Sequence, residues 1–320
     1  MTAMTAPTPA PAARGKPGKT EGRRRIGEKW YTPYLFILPH LSIFLLMIGW
    51  PFFYGIYISL LDATSVTGAS APFVGLENYQ ALFDPASRHS GRFWQTFWNT
   101  VIFVILSVPT LIAISLALAA LLNSKFRARN VFRAVYFAPW TLGVSVIGLL
   151  WFWMFQPTGG LLVDMISGLG LESPRWLSTQ PWAWLAILIA TVWWTIGFNT
   201  IILLAGMQGI ALDLYEAASI DGANKWQQFR HITIPSLKPI LLLVVTLQII
   251  ASFNLFGQPQ IITDGGPPTA QTTPVLLHLY VTGFRSPFDI GLAAAMAVVV
   301  ALVMVVVSVV NFKFFSTERA

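Results

Sequence analysis

Cysteine is absent from this chain of 320 residues, and charged residues make up only 10% of it. Without cysteine, the chain can form no disulfide, iron–sulfur cluster or thiolate-held metal site. A soluble domain has about a quarter of its residues charged. A chain that is 55% hydrophobic and this poor in charge would expose a large apolar surface to water. Since its apolar residues also come in long runs, we predict an integral membrane protein.

Motifs of catalysis and metal binding are missing too. The four histidines are scattered, without the H-E-x-x-H spacing of a zinc site, and no G-x-S-x-G nucleophile elbow occurs. The segment Gly18-Lys19-Thr20 resembles the end of a phosphate-binding P-loop, but Ala13 stands where that motif has its first glycine. The sequence therefore predicts no catalytic residue, no metal site, no cofactor of its own and no ATPase activity.

Six apolar stretches are long enough to cross a bilayer, which takes roughly 20 residues each. They are Tyr34–Ser59, Phe97–Leu122, Ala134–Phe155, Trp182–Met207, Ile240–Gly257 and Ile290–Phe312. No Asp, Glu, Lys or Arg falls inside any of these stretches. The predicted fold class is an all-α membrane protein with six transmembrane helices.

Basic residues are divided unequally between the two sides of this predicted topology. Sixteen Lys and Arg lie on the side of the two termini, and four lie on the other side. Because cytoplasmic loops carry the excess of Lys and Arg, both termini are expected in the cytoplasm. The net charge of +7 would suggest nucleic-acid binding in a soluble protein, but this distribution indicates membrane anchoring instead.

The chain is predicted to divide into three parts. Residues 1–30, rich in Pro, Ala, Gly and basic residues, form a disordered basic cytoplasmic tail. Residues 31–94 hold the first transmembrane helix and an extracytoplasmic loop. Residues 95–320 form a core of five transmembrane helices, which includes a cytoplasmic loop at 208–239.

That cytoplasmic loop, between the fourth and fifth predicted spans, is patterned as two short helices. Its start, turn and stop signals are a capping-box pair at Asp213 and Glu216, a turn at Asp221-Gly222, a second capping-box pair at Asn224 and Gln227, and Pro235 as the helix end. Gly222 is expected to have a positive φ, because the chain reverses direction there. Such a pair inserts into a partner's groove or lies on the membrane surface, and the residues alone leave both open.

Part of this loop resembles a known family signature, the E-A-A-x3-G-x9-I-x-L-P motif of permeases in binding-protein-dependent ABC importers. The matching residues are Glu216, Ala217, Ala218, Gly222, Ile232, Ile234 and Pro235, with Ile234 in place of the usual leucine. The segment from Tyr215 to Phe229 is similar to the carbohydrate, or maltose-permease, branch of this family. Two further segments, Gly75–Tyr79 and Thr263–Pro267, resemble family segments after the first and fifth spans.

The resemblance implies an assembly around this chain in the bacterial inner membrane. Its other members would be a second homologous permease that forms a heterodimer with it, two ATP-binding subunits that hold ATP and Mg, and an extracytoplasmic solute-binding protein. The resemblance also implies that the first helix packs against the partner permease. It implies that the substrate is a sugar, and we expect a di- or oligosaccharide.

The resemblance further assigns a role to the loop, which would dock into the ATP-binding subunit as a coupling helix. The residues that it assigns to this contact are Tyr215, Glu216, Ala217, Ala218, Asp221, Gly222 and Ala223. Two helix caps and a short turn would make the loop a rigid lever, since a floppy loop would dissipate the motion.

Polar residues in and near the fourth and fifth spans are the candidate substrate contacts. They are Asn199, Gln248, Ser252, Asn254, Leu255 and Gln258, with the Trp193-Trp194 pair as a second candidate lining. Leu255 is included because it shares a predicted helix face with Gln248 and Ser252. Uncharged amides suit hydroxyl-rich neutral ligands, and interhelical hydrogen bonding is the alternative role of these residues.

Two rival functions are weighed against sugar import. An ion-coupled secondary transporter usually needs an ionisable group near the middle of the membrane, and the predicted spans offer only His40, near the start of the first. That absence favours an external source of energy. A permease for a non-sugar solute such as glycerol-phosphate remains open, because selectivity belongs largely to the binding protein.

Overall fold

The computed structural model describes residues 29, 31–64, 66–124, 127–265, 271–285 and 288–316, without the side chains of residues 69 and 314–316. The predicted tail, apart from Lys29, and the P-loop-like segment lie outside the described residues. Within those ranges the chain is helical and forms no strand, only two isolated bridges that pair Leu61 with Phe73 and Thr64 with Asp289.

The helices are numbered in chain order. They are α1 Thr32–Phe44, α2 Trp50–Ile58, α3 Glu77–Phe83, α4 Arg88–Asn123, α5 Arg129–Phe137, α6 Val144–Met154, α7 Leu161–Gly168, α8 Trp182–Gln208, α9 Leu212–Ile220, α10 Lys225–Gln228, α11 Ile234–Phe253, α12 Gly257–Ile262, α13 Val275–Phe284 and α14 Ile290–Ser316. The short helices α12 and α13 were not predicted from the sequence.

Five helical stretches of the described residues are long and apolar enough to span a membrane. They are Thr32–Ile58, Arg88–Asn123, Trp182–Gln208, Lys225–Phe253 and Ile290–Lys313. A sixth candidate is a bent pair, residues 129–141 with 144–154, whose two limbs meet at 100°. The count among the described residues is therefore five spans, or six if the bent pair crosses as one.

The described residues form two units, one that ends at Phe53 and one that begins at Tyr54. In the first unit, α1 continues through a π-helical turn, Leu45–Gly49, toward α2. Apolar side chains such as Phe36 and Leu46 are exposed, as expected for a helix whose surroundings are lipid or protein.

The core of the second unit is built on α4, α8 and α11, which pack against one another. One cluster of buried side chains joins α4, α8 and α11, with Leu122, Leu203 and Leu237 at its centre. Close approach depends on small residues, as in other membrane proteins. At Gly197, an added Cβ would collide with the backbone of Tyr136, so glycine lets α5 lie directly against α8.

The third predicted span, Ala134–Phe155, is wrong as a single straight helix. Its chain leaves the α-helix at Phe137, forms a 3₁₀ turn at Ala138–Thr141, and restarts after an extended Gly143. Pro139 within this turn has no N–H to continue the helical hydrogen bonds. The first limb also begins earlier than predicted, at Arg129, so that it contains two arginines.

The fifth predicted span, Ile240–Gly257, is also displaced. Helix α10 runs through a π-helical turn, Phe229–Thr233, directly into α11, so Pro235 does not end the second short helix as predicted. Pro235 lies directly after the π-helical turn, and because its missing N–H removes one hydrogen bond of the continuous helix, the regular α-helical pattern is interrupted there. At the other end, the Asn254 side chain donates to the Ile250 carbonyl at 2.9 Å, which also accepts the Asn254 backbone N–H at 3.1 Å.

Candidate functional site

The predicted site residues lie in two places: the helix pair α9–α10, which we call the coupling loop after the role that the sequence resemblance implies, and a cavity near the end of α11. Helix α9 begins after an extended Ala211, without a side-chain cap. The predicted capping box of Asp213 and Glu216 is therefore wrong. Asp213 lies instead in the first turn of the helix, where a carboxylate interacts favourably with the positive end of the helix dipole.

The turn after α9 has the conformation that the sequence predicted. Gly222 has φ +82°, its N–H donates to the Ser219 carbonyl at 3.2 Å, and the Ala223 N–H donates to the Ala218 carbonyl at 2.8 Å. This pair of bonds is a Schellman motif, which ends helices at a left-handed residue. An added Cβ at Gly222 would meet nothing within 4 Å, so the requirement for glycine comes from backbone conformation and not from crowding.

The second predicted cap is confirmed. The Asn224 side chain accepts a hydrogen bond from the Gln227 N–H at 2.9 Å, and the Gln227 side chain accepts one from the Asn224 N–H at 2.8 Å. These reciprocal bonds form a capping box. The direction in which α10 leaves the turn is therefore fixed.

A residue that the sequence did not single out ties the two helices together. Gln228 is buried, and its Nε2 donates to Ser219 Oγ at 2.8 Å and to the Ala223 carbonyl at 3.2 Å. Ser219 Oγ in turn donates to the Tyr215 carbonyl at 2.7 Å. Because these partners lie before and after the turn, the coupling loop is one braced unit.

The coupling loop is also anchored to the helix that follows it. The hydroxyls of Tyr215 and Thr233 lie 2.9 Å apart, and Thr233 immediately precedes α11. Of the other predicted contact residues, Glu216, Ala217 and Asp221 are exposed and Ala218 is half-buried.

The coupling loop exposes large apolar side chains. Ile220 is 87% exposed, Leu212 73% and Trp226 67%. Several large exposed apolar side chains on one short segment are typical of a surface that binds another molecule. The loop therefore has both the rigidity and the surface of a docking element.

The second of these places is a cavity of about 370 Å³, which we call the polar cavity. It lies where α11 ends and α12 begins. Five of the six predicted substrate residues line it, namely Gln248, Ser252, Asn254, Leu255 and Gln258. Their arrangement differs from the single helix face predicted, because α11 ends at Phe253 and Gln258 belongs to α12.

The sixth predicted residue, Asn199, lies behind the wall of this cavity. Asn199 is buried, and its Nδ2 donates to Gln248 Oε1 at 3.0 Å across α8 and α11. Ser252 is held in a similar way by Ser107, with their hydroxyls 3.0 Å apart. These contacts correspond to the interhelical role that the sequence left open, and they position Gln248 and Ser252 at the cavity wall.

Two amide groups at the cavity wall have no hydrogen-bond partner among the described residues. They are the NH2 group of Gln248 and the whole side-chain amide of Gln258. Neither group is fully enclosed by the protein. They are therefore available to the donors and acceptors of a ligand.

Aromatic rings form the other wall of the polar cavity. Trp140 and Trp194 line it with ring centroids 5.7 Å apart, and Trp140 stacks on Phe198 at 4.6 Å. The Trp194 Nε1 donates to the Leu142 carbonyl at 3.1 Å and so fixes the ring against the bend after α5. Trp193, the other member of the predicted pair, does not line this cavity. Trp140 was missed, although its position after Pro139 marks it as part of a helix break.

Comparison with known proteins agrees with these features. A family model described as binding-protein-dependent transport system inner membrane component matches residues 112–315. The chain is 34% identical to the sulfoquinovosyl glycerol transport system permease protein SmoG of Agrobacterium fabrum, over 89% of this chain and 90% of the relative. It is 35% identical to the trehalose/maltose transport system permease protein MalF of Thermococcus litoralis, over 88% of this chain and 92% of the relative.

Solved structures show the same fold. A bacterial ABC transporter involved in the import of the acidic polysaccharide alginate matches with a TM-score of 0.77 and 21% identity, over 91% of this chain and 96% of that chain. The alginate transporter in complex with alginate pentasaccharide-bound periplasmic protein matches with a TM-score of 0.75 and 21% identity, over 88% of this chain and 92% of that chain.

Proposed function

This chain belongs to the family of binding-protein-dependent transport system inner membrane components, and we propose that it forms half of the translocation pathway of an ATP-driven sugar importer. One observation carries the proposal. A continuous helical stretch, Lys225–Phe253, holds the coupling loop at one end and Gln248 and Ser252 of the polar cavity at the other. A force on the loop is therefore transmitted along one helix to the cavity wall.

The coupling loop faces the cytoplasm in this proposal, and both termini lie on the same side. The excess of Lys and Arg on that side supports the orientation. A partner ATP-binding subunit receives the exposed face of α9 and binds the ATP and Mg, so this chain needs no cofactor of its own. The exposed apolar side chains of Ile220 and Trp226 give such a contact a core that excludes water.

Three further partners complete the proposed assembly in the bacterial inner membrane. A second, homologous permease supplies the other half of the pathway as a heterodimer, and a second ATP-binding subunit drives it. An extracytoplasmic solute-binding protein delivers the substrate, in line with the periplasmic protein bound to the alginate transporter.

The substrate that best fits the polar cavity is a neutral di- or oligosaccharide. The free NH2 group of Gln248 and the unpaired amide of Gln258 suit hydroxyl groups, and the Trp140 and Trp194 rings suit the apolar faces of sugar rings. No charged side chain is among the described residues that line the cavity. A phosphate ester would leave its charge unpaired there, so the lining disfavours glycerol-phosphate.

Ion-coupled secondary transport is the alternative that the test must exclude. The assembled importer in liposomes should accumulate labelled sugar only under two conditions. ATP must be present on the side of the coupling loop, and the loaded binding protein must be present on the opposite side. Ionophores that collapse proton and sodium gradients should leave this uptake intact. Uptake that follows an ion gradient without ATP would overturn the proposal.

A further inference from the structure

We propose that the bend between α5 and α6 binds one anionic phospholipid, with its phosphate at Arg133 and an acyl chain in the cavity inside the bend. This inference rests on the proposed orientation, which places the start of α5 at the cytoplasmic face. Its test measures lipid binding and not transport, so failure of the lipid site can be distinguished from failure of the proposed sugar import.

The guanidinium of Arg133 is the first observation. Its Nε and Nη2 atoms are buried, and no described residue accepts a hydrogen bond from either. Nη1 is not among the buried atoms, so the group keeps an accessible edge. A partly buried cation without a partner is destabilising, because no hydrogen bond or opposite charge replaces its lost hydration. An anion at the accessible edge would remove this destabilisation.

The protein itself does not supply this anion nearby. Helices α4 and α8 pack against α5, and neither contains Asp or Glu. The chain has no acidic residue at all between Asp84 and Asp164. The partner of Arg133 therefore has to come from outside the helices that surround it.

Arg133 lies in the half of the span nearer the cytoplasm in the proposed orientation. Tyr136 packs against Gly197, near the middle of α8, and Arg133 lies three residues earlier on α5, about 4.5 Å closer to the start of that helix. A cation at this depth is accommodated by local thinning of the bilayer, so we expect the bound lipid's phosphate to be drawn inward toward Arg133.

The space inside the bend is the second observation, and we call it the bend cavity. It measures about 510 Å³ and is lined by Val135 and Tyr136 of α5, Trp151 of α6, and Ile189 and Trp193 of α8, among others. This volume falls within the range of small-molecule binding sites, roughly 300–1,000 Å³. Its lining is almost wholly apolar, as an acyl chain requires.

The two features adjoin on the surface of α5. Arg129, Arg133 and Tyr136 share one face of the helix by their i, i+4, i+7 spacing. Tyr136 also lines the bend cavity, so the basic face and the apolar cavity meet at this residue. A cation beside an apolar cavity is complementary to an anionic phospholipid, which carries both groups in one molecule.

The test uses the purified full chain in neutral detergent, with lipid binding counted by native mass spectrometry. The affinity for phosphatidylglycerol should exceed that for phosphatidylcholine by at least about fivefold, which is the difference expected from one basic residue near the headgroup. Arg133→Gln should lose this preference, Arg133→Lys should keep part of it, and the exposed Arg230→Gln control should keep all of it. Ile189→Trp, which fills the bend cavity, should weaken the binding of both lipids.

Three results would overturn the proposal. One is an unchanged preference for phosphatidylglycerol in Arg133→Gln. Another is undiminished lipid binding in Ile189→Trp, which decides the question even if Arg133→Gln fails to fold. The third concerns the second permease co-expressed with this chain: if Arg133→Gln loses co-purification with that protein but keeps its lipid, the cavity belongs to the permease contact. Inorganic phosphate should not compete, because it lacks the acyl chain.

Discussion

The hydroxyl of Tyr215 lies 2.9 Å from the hydroxyl of Thr233, and this contact joins the exposed helix α9 to the start of α11. Thr233 is buried and Tyr215 is half-buried, so the bond is partly shielded from water. Movement of α9 against an ATP-binding subunit would therefore reach α11 through this contact as well as through the chain.

Tyr215→Phe should weaken coupling because it removes this bond and little else. A single hydrogen bond contributes about 0.5–1.5 kcal/mol, so sugar-stimulated ATP hydrolysis by the assembled importer should fall between about twofold and tenfold. Thr233→Val removes the other partner and should have a similar effect. Because both changes break the same bond, the double variant should lose no more than either single one. Fully additive losses would mean that the two side chains act separately.

Gly222→Val should abolish transport, whereas Gly222→Asn should retain much of it. At φ +82°, a residue with a Cβ costs roughly 1–2 kcal/mol in the left-handed region, and asparagine tolerates that region better than most residues. Since nothing lies within 4 Å of the added Cβ, the loss would report backbone conformation alone. Uptake assays with matched membrane levels of the protein decide this, and equal activity of Val and Asn variants would contradict it.

The coupling loop shows what the sequence could predict and where it failed. The left-handed Gly222 and the capping box of Asn224 and Gln227 depend on contacts within a few residues, so local patterns were sufficient. Gln228 was missed because its partners Ser219 and Ala223 lie across the turn. Prediction of this brace requires knowledge of how the two helices pack.

The membrane-embedded part was less predictable for a similar reason. Apolar sequence continues through Pro139 and Gly143, so hydropathy alone does not reveal the 100° bend there. Five of the six residues chosen as substrate contacts from their residue type line the polar cavity, and their contact with a sugar stays a prediction. The hydrogen bond between Asn199 and Gln248 could not be predicted, because the two residues lie 49 positions apart in the sequence and on different helices.

The proposed orientation can be tested with single cysteines, since the chain has none of its own. Ile220 and Val66 are 87% and 93% exposed and lie on opposite sides of the proposed topology. An impermeant maleimide should label Val66→Cys in intact cells and Ile220→Cys only after the cells are permeabilised. Labelling of Ile220→Cys from outside would reverse the orientation.

Acid should destabilise the protein through His278 on α13, which lies outside the spanning helices. Burial, with the nearby Arg92 and His89, lowers the pKa of His278 from 6.5 to about 4. The unfolded chain therefore takes up a proton at a higher pH than the folded chain does. The stability that this histidine contributes is complete above pH 6.5 and is lost as the pH falls toward 4.

Thermal unfolding of the full chain in detergent measures this dependence. The midpoint should fall as the pH decreases from 7 to about 4, and His278→Gln should flatten the curve. The exposed His231→Gln variant is the control. An unchanged curve for His278→Gln would mean that other groups cause the acid sensitivity.

Substitution of Gln258 tests whether the polar cavity contacts the sugar. Its amide makes no hydrogen bond to a described residue, so Gln258→Leu removes possible ligand contacts without breaking a contact of the protein. Loss of one or two hydrogen bonds worth about 0.5–1.5 kcal/mol each should raise the KM for uptake by about tenfold. Asn199→Leu is the matched variant, because Asn199 is bonded to Gln248 and lies behind the wall. We expect it to lower the thermal stability as well as transport. If Gln258→Leu transports with an unchanged KM while Asn199→Leu fails, the polar residues hold helices together and do not bind substrate.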